Sequence, residues 1–233
     1  MGKVIMSGIV PLLNVPVTTE PNFADNTWAQ IIKACQANRI PDTWLVGNQK
    51  SMTIGGTDYV IDIIGKNHDT YTSGGTAPLT FQMHDCYGEP KNMNSENTNV
   101  GGWTSCAMRQ THLPAILALM PTEVQNGIRE VNKLTSAGNT FDTINTTADK
   151  LFLLSEIEIF GSTTYSKSGE GTRYDYYRAG GNTVKNRNGS ANAWWERSPD
   201  ASATISFCIV NSNGNATINN VKGNNGVAFA FCF

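Results

Sequence analysis

Apolar residues in this sequence come in short runs, and that pattern limits the fold more than any other feature. Gly, Pro or Asn bound most of the runs, and these residues favour turns. Runs of this kind predict many short antiparallel strands, two or three helices and long loops, which together make an α+β fold. No run approaches the ~20 residues that a membrane-spanning helix needs, so membrane insertion is not expected.

The composition excludes several other classes of protein. Of the 233 residues, 39% are hydrophobic and 15% are charged, and the formal net charge is −2. Average chains carry ~25% charged residues, so disorder driven by charge is excluded. An isoelectric point near 5.9, without a basic block, argues against a nucleic-acid partner. The length suits one large domain or two small ones, and no break in composition requires a second.

The N-terminal residues differ from the rest of the chain. Residues 1–25 are apolar, interrupted by Pro11 and Pro16, and have no clean period. They predict an arm that serves as an edge strand, an oligomerisation segment or a mount to a larger assembly. A signal peptide is a weak match, because no small-residue cleavage site follows cleanly. We therefore expect an N-terminal arm over 1–25 and one domain over 26–233.

Hydrophobic spacing predicts three helices. The first should begin at Asp25 or Asn26 as N-cap and end near Asn38. Its apolar residues recur at i, i+3, i+4 and i+7, and they are Trp28, Ile31, Ile32 and Cys35. A second helix should start at Thr104 or Ser105 and bend or restart at Pro114. Ser155 is placed to cap a short third helix that runs through Phe160.

Runs rich in β-branched and aromatic residues predict the strands. A Gly-rich turn at Gly55-Gly56 separates two of them and indicates a hairpin. The other strands are expected at residues 79–83, 128–134, 149–155, 193–199, 207–210 and 227–233.

The cysteines and histidines form no known metal or redox motif. The five cysteines are Cys35, Cys86, Cys106, Cys208 and Cys232. Their number is odd and no C-x-x-C pair occurs, so buried free thiols or a Cys208–Cys232 disulfide are the alternatives. His68-Asp69 and His84-Asp85 suit either metal ligation or acid–base pairing, or else hydrogen bonding within turns. His112 has no partner at a recognisable spacing.

Asparagine is concentrated near the C-terminus. The chain has 25 Asn, and seven of them lie between Asn211 and Asn225. Large, apolar or turn-forming residues alternate there with small polar ones, as if a constant frame enclosed a changeable filler. The frame consists of residues 194–199, 207–208, Val210, Gly214 and 226–233. A hairpin with solvated Asn and Gly turns explains the same pattern. Glycosylation at N-x-S/T triplets is a further alternative, at Asn145, Asn188 and Asn215.

An ordered set of motifs over roughly residues 26–233 resembles one family. The motifs are N-H-D at 67–69, L-T-F at 79–81, M-N at 93–94, G-G-W-x-S-x-x-M-R at 101–109, D-K-L-F-L-L-S-E-x-E-x-F-G at 149–161, W-W-x-R-S-P at 194–199 and the ending G-V-A-F-A-F-C-F. They resemble a domain common in phage tail-associated and gut bacterial proteins. Its members include the variable proteins of diversity-generating retroelements.

The resemblance implies a C-type-lectin-like fold with a variable region over about residues 190–233. In that family a reverse transcriptase copies a template repeat with errors at adenines and writes the copy into the variable repeat. Asn codons carry adenine at both informative positions, and the filler residues are reachable from them, with Lys222 as the misfit. The ligand-binding residues implied are Asp200, Ala203, Thr204, Ile205, Ser206, Ile209, Asn211, Asn213, Asn215, Thr217, Ile218, Asn219, Asn220, Lys222, Gly223, Asn224 and Asn225.

The function implied is the display of changeable side chains to a target. Small polar residues with a few apolar anchors are typical of such surfaces, and the apolar exceptions in the filler are anchors if exposed and core if buried: Ile205, Ile209, Ile218 and Val221. The resemblance implies no catalytic residue, no metal and no cofactor. The target would be a protein or glycan on a cell surface, such as a bacterial receptor. The location would be a phage tail or a bacterial cell surface, with a homo-oligomer or tail assembly formed through residues 1–25.

Two alternatives use the same scaffold. Formylglycine-generating enzymes share the broad fold but need a reactive cysteine site, and Cys208 and Cys232 lie in apolar strands instead. A calcium-dependent sugar lectin needs a triplet such as Glu-Pro-Asn on a loop. The nearest match is Glu89-Pro90-Lys91, in which Lys replaces Asn.

Overall fold

The computed structural model describes residues 17–139 and 141–233. Its strands are β1 (Gln49–Ile54), β2 (Thr57–Lys66), β3 (Leu79–Met83), β4 (Val131–Ser136), β5 (Ile144–Asp149), β6 (Lys185–Arg187), β7 (Ser190–Asn192), β8 (Trp194–Pro199), β9 (Ser206–Val210), β10 (Ala216–Asn220) and β11 (Ala230–Cys232). Its helices are α1 (Trp28–Gln36), α2 (Gly102–Ser105), α3 (Leu113–Leu117), α4 (Thr122–Gly127), α5 (Glu156–Phe160) and α6 (Asp175–Arg178), with a π-helical turn at Met108–His112. This mixture of short helices and antiparallel strands confirms an α+β fold.

The largest sheet pairs the last strand with three strands from the first half of the chain. Its order is β1-β2-β3-β11, and all pairs are antiparallel. The predicted hairpin is confirmed, and its turn glycines Gly55 and Gly56 both have positive φ. The predicted strand at 79–83 is also confirmed as β3. Phe231 on β11 lies opposite Phe81 on β3, so the last strand closes the edge of this sheet over the core.

A second sheet carries the C-terminal frame and filler. Its order is β10-β9-β8, with β9 in the centre and β10 at an edge. Every residue of β8 and β9 is buried, whereas every residue of β10 is partly exposed. Two hairpins, β4-β5 and β6-β7, complete the strands, and one cluster of buried apolar side chains connects the two larger sheets.

Helix α1 confirms the predicted spacing but not the predicted cap. All four predicted apolar residues are buried. The N-cap is Thr27, not Asp25 or Asn26: its Oγ1 accepts from the Gln30 amide at 3.2 Å, and Gln30 Oε1 accepts from the Thr27 amide at 2.8 Å. Asn26 is buried and instead donates to the carbonyls of Glu20 and Asn22.

Two other predicted elements differ from the structure. The second helix begins at Gly102 instead of Thr104 or Ser105 and breaks at Cys106, which is extended, before the chain resumes as the π-helical turn and α3. The strand predicted at 149–155 is wrong, because β5 ends at Asp149. Residues 151–154 are buried, but they pair with another segment at only one isolated bridge, Phe152 to Ala230. The apolar run therefore reflects burial of this segment and not a β-strand. Ser155 is confirmed as the cap of α5.

Only the last part of the predicted arm belongs to the described chain. Residues 1–16, and with them most of the arm expected to serve in assembly, lie outside the described residues. Residues 17–25 lie on the domain: Phe23 is buried, and its ring contacts those of Trp28, Trp44 and Phe81. Within the described residues, no helix has both the length and the apolar character to cross a membrane.

Candidate functional site

The predicted variable residues occupy β10 and the loops on both sides of the β9-β10 hairpin. The exposed ones are Thr204, Ile205, Asn213, Asn215, Lys222 and Asn224. The partly exposed ones are Ala203, Asn211, Thr217, Ile218, Asn219, Asn220 and Gly223. These accessible side chains lie on the edge strand of the second sheet and on its neighbouring loops, and we call them together the filler surface.

Four predicted ligand-binding residues are part of the scaffold instead. Ile209 is 5% exposed and Ser206 8%, because both lie on the central strand β9. Asp200 is fully buried, and its Oδ1 accepts from the amide and hydroxyl of Ser202, both at 2.8 Å. Asn225 is also buried, and its backbone pairs with that of Lys91. A ligand on the filler surface would not touch these four side chains.

The four apolar residues of the filler differ in burial. Ile205 is 40% exposed and Ile218 is partly exposed, so these two have the accessibility that anchors need. Ile209 and Val221 are buried members of the hydrophobic core. Strand order explains the difference within the sheet, since Ile209 lies on the central strand β9 and Ile218 on the edge strand β10.

Side chains of several asparagines in the filler surface make hydrogen bonds within the turns in which they lie. Asn211 Oδ1 accepts from the amides of Asn213 and Asn215, at 2.9 and 3.1 Å. Asn220 Oδ1 accepts from the Lys222 amide at 2.9 Å, and Asn219 Nδ2 donates to Asn225 Oδ1 at 3.2 Å. These contacts are the solvated Asn turns expected for an ordinary hairpin. Other side chains make no hydrogen bond to the described protein and are the freest to vary: Asn213, Asn215 and Asn224.

Asn99, which the sequence analysis missed, fixes the loop that leads into β9. It is fully buried, and its Nδ2 lies 3.2, 2.7 and 2.9 Å from the carbonyl oxygens of Asp200, Ala203 and Ser206. Its amide donates to the Thr204 carbonyl at 2.6 Å. The only signal in the sequence was its place in another Asn-rich stretch, which resembled a solvated turn.

Asp69, Glu158 and Arg197, one residue from each of three of the quoted motifs, meet in a buried network that also includes Lys133 and Tyr174. Lys133 Nζ lies 2.8 Å from Asp69 Oδ1 and 2.7 Å from Glu158 Oε1. Arg197 is fully buried and holds Glu158 with both terminal guanidinium nitrogens. Tyr174 donates to Asp69 Oδ2 at 2.8 Å. Because every member is buried, these motif residues connect strands and helices instead of facing a ligand.

The charges of this network are balanced. Burial alone would raise the pKa of Asp69, but Lys133 lowers that pKa to about 2. Burial also opposes ionisation of Glu158, and the charges of Arg197 and Lys133 nevertheless lower its pKa. Both carboxyl groups are therefore ionised and paired at neutral pH.

Neither His-Asp pair forms a site of its own. The His68 ring stacks on Tyr174 with centroids 3.8 Å apart, while the neighbouring Asp69 belongs to the buried network. His84 pairs with Asp62 across the sheet, at 2.9 Å, and not with Asp85. Hydrogen bonding to Asp62 raises the pKa of His84. Across residues 17–139 and 141–233, no group of three His, Cys, Asp or Glu side chains is arranged to hold a metal ion.

The cysteines are buried free thiols, and no Cys208–Cys232 disulfide forms. Cys208 lies on β9 and Cys232 on β11, in different sheets. Burial raises the pKa of Cys35, Cys86 and Cys106 to about 12, and it raises the pKa values of the other two well above the ordinary thiol range. Protonated, buried thiols are poor nucleophiles. The Glu-Pro-Lys triplet is equally unsuited to a lectin cation, because Glu89 pairs with Lys91 at 2.7 Å.

Comparison with known proteins gives one match. Neither the curated proteins nor the solved structures include a match to this chain. A family model described as a domain of unknown function, DUF6273, matches residues 79–233. The match begins at the first residue of β3 and includes β8, β9, β10 and β11. Since it covers more than half of the chain, the chain belongs to the DUF6273 family.

Proposed function

We propose that this chain is a non-enzymatic ligand-binding display protein, whose filler surface binds a target such as a bacterial surface receptor. The observation that carries the proposal is the separation of two kinds of residue in one sheet. The frame residues of β8 and β9 are all buried, whereas every residue of the adjoining edge strand β10 is partly exposed, and its turns carry exposed side chains at Asn213, Asn215, Lys222 and Asn224. A surface of this kind tolerates changes of side chain without loss of the scaffold.

The proposal includes a C-type-lectin-like fold and diversification by a retroelement. The pairing of C-terminal strand β11 with β3 and the separate sheet β8-β9-β10 support that fold. Asn213, Asn215 and Asn224 support a record of adenine-rich template codons, since their side chains make no hydrogen bond within the described residues. On this proposal the protein acts on a phage tail or a bacterial cell surface, where residues 1–25 mount or oligomerise it.

Binding by a surface variant tests the proposal. Four exposed residues of the filler surface would be replaced together, in N213A/N215A/K222A/N224A. The purified protein would be applied to a glycan array and to a panel of gut bacterial cells. We expect binding by the natural chain and a loss of about tenfold or more in the variant, because contact residues are removed.

The matched control is K33A/Q36A on α1, which also replaces exposed polar residues. It should bind like the natural chain, and both variants should keep the unfolding temperature, because exposed substitutions change stability by only about 0.5 kcal/mol. Binding that survives in the filler variant would place the site elsewhere. Sequencing of the locus tests the diversification: a template repeat that differs from residues 190–233 at adenines, beside a reverse transcriptase, is required.

A further inference from the structure

A cleft lies between the start of β2 and the β6-β7 hairpin, and it shares no residue with the filler surface. Its third wall is the segment that follows β3. The volume of the cleft is about 360 Å³, which falls within the range of about 300–1,000 Å³ that is usual for small-molecule sites. None of its lining residues belongs to the predicted variable region, so changes confined to the filler replace none of them.

The polar residues that line the cleft have hydrogen-bonding groups that the described protein does not use. Asp58 Oδ1 accepts from the Thr53 hydroxyl at 2.5 Å, and Asp85 Oδ1 accepts from the Asn186 amide at 2.7 Å. The second carboxylate oxygen of each Asp makes no hydrogen bond within the described residues. The same holds for the side-chain amides of Asn186 and Asn188. These groups are therefore available to a ligand.

An aromatic ring supplies apolar surface to the same cleft. Tyr59 lines the cleft, and its ring stacks on that of Tyr87 with centroids 5.5 Å apart and planes at 27°. The Tyr59 hydroxyl accepts from the Gly88 amide at 3.1 Å, so both the ring and the phenolic oxygen are held. Val60, which is 38% exposed, adds an aliphatic side chain to the lining. Apolar surface with a few convergent polar groups is typical of ligand sites.

The hairpin wall of the cleft is held in place. Asn188 and Gly189 join β6 to β7, and both have positive φ, as a two-residue type I′ turn requires. The buried Lys185 anchors β6, since its Nζ donates to the carbonyls of Met83 and His84 at 2.6 and 2.9 Å. A preorganised wall lowers the entropic cost of binding.

The charge and the donors of the lining indicate the chemistry of the ligand. Among the described residues that line the cleft there are two carboxylates and no Lys or Arg, so an anion would be repelled. Arg187 lies on the same hairpin but is not part of the lining. A polyamine would use acceptors only and would leave the amide donors of Asn186 and Asn188 without partners. A sugar hydroxyl both donates and accepts, and it can therefore pair with carboxylates and amides alike.

We propose that this cleft binds a neutral carbohydrate. Asp58 and Asp85 accept hydrogen bonds from its hydroxyl groups, while Asn186 and Asn188 both donate and accept. One apolar face of the sugar ring, with its carbon-bound hydrogens, packs against Tyr59, because the face of an aromatic ring carries partial negative charge. The site is formed by constant residues and does not depend on the proposed display function.

Titration with free sugars tests this inference. The isotope-labelled full chain would be titrated by NMR with glucose, galactose, mannose, fucose and N-acetylglucosamine, and with glucuronic acid and spermidine as charged probes. The site variant is D58A/N188G, in which both replaced side chains are exposed and glycine accepts the positive φ of the turn. We expect at least one neutral sugar to bind saturably and its dissociation constant to rise about tenfold in the variant.

The matched control is D42A/N126A, which replaces an exposed Asp and an exposed Asn outside the cleft and should bind like the natural chain. A second site variant, D85N, keeps an oxygen that can accept from the Asn186 amide, and it should weaken the same sugar. Circular dichroism melts of each variant separate loss of the site from loss of folding.

Three results would overturn the inference: no saturable binding of any neutral sugar, equal affinity in D58A/N188G and the natural chain, or preferred binding of glucuronic acid or spermidine. The filler variant N213A/N215A/K222A/N224A should bind the sugar like the natural chain, and loss of sugar binding there would move the sugar site to the filler surface. Unchanged cell binding by the filler variant would remove the display proposal and leave the carbohydrate cleft standing.

Discussion

Glu196 lies on β8 with its carboxyl group fully buried, and neither oxygen has a hydrogen-bond partner within the part of the chain that the structure describes. Its neighbour Arg197 holds Glu158 instead. Burial, reinforced by the negative charges of Glu156 and Glu170, raises the pKa of Glu196 well above its ordinary value. The folded state therefore favours the protonated form of this carboxyl group.

The raised pKa predicts a pH dependence of stability with a definite sign. The folded state holds the Glu196 proton more tightly than the unfolded state, so its contribution is complete below the ordinary glutamate pKa and is lost as the pH rises toward the folded-state value. E196Q keeps the shape and removes the titration. As the pH rises above the ordinary glutamate pKa, the natural chain should lose stability relative to E196Q, by about 1.4 kcal/mol for each pH unit over which only the folded state holds the proton. Urea unfolding of both proteins across that range measures the difference.

A neighbouring glutamate provides the control. Glu156 accepts from the amides of Tyr165 and Ser166 at 3.0 and 2.8 Å, and from the Ser166 hydroxyl at 2.7 Å. A Gln amide nitrogen cannot accept these bonds, so E156Q should lose about 1–3 kcal/mol at neutral pH. Identical pH slopes for E196Q and the natural chain would show that Glu196 does not hold its proton.

At the scale of elements, the buried network is the main connection between β4, α5 and β8. Lys133 on β4 contacts Asp69 and Glu158, and Arg197 on β8 contacts Glu158 at the first turn of α5. Removing one member of a buried ion pair leaves the partner's charge uncompensated, which costs about 3–5 kcal/mol. K133M should therefore lower the free energy of unfolding by about that amount.

Urea titration followed by circular dichroism checks this prediction against K150M. Lys150 is exposed, so its replacement should change stability by no more than about 0.5 kcal/mol. Comparable losses in the two variants would mean that the network contributes nothing beyond an ordinary surface lysine.

The elements that the sequence predicted are those whose spacing is determined locally. The apolar period of α1 and the runs around Gly55-Gly56 need no distant partner, and both were confirmed. The run 149–155 is different, because burial on all sides produces the same apolar pattern whether or not a ladder forms. The Thr27 cap was missed because three polar residues in sequence could all serve, and local packing of Asn26 decided between them.

The candidate site was predictable in extent but not in detail. Composition located the filler, and the accessible strand β10 lies within it. The alternation of large apolar and small polar residues did not reveal that Ile209 lies on the central strand of the sheet and Ile218 on an edge strand. That difference depends on the order of the strands in the sheet. The part played by Asn99 depends on contacts between loops far apart in sequence, and no local pattern encodes such contacts.

At the scale of the whole molecule, buried aromatic residues close the fold at its C-terminal end. Phe231 and Phe233 are fully buried, and Tyr71 donates its hydroxyl to the carbonyl of Phe233. The final strand therefore connects the first sheet to the core that also supports β8 and β9. Buried phenylalanines such as Phe231 therefore contribute to stability, whereas an exposed one such as Phe141 contributes to the surface.

A pair of identical substitutions tests that division. Phe231 is fully buried and stacks on Phe81 with ring centroids 5.3 Å apart, so F231A should cost about 3–5 kcal/mol of unfolding free energy. Phe141 is 45% exposed, so F141A should change stability by no more than about 0.5 kcal/mol. Urea unfolding gives both values.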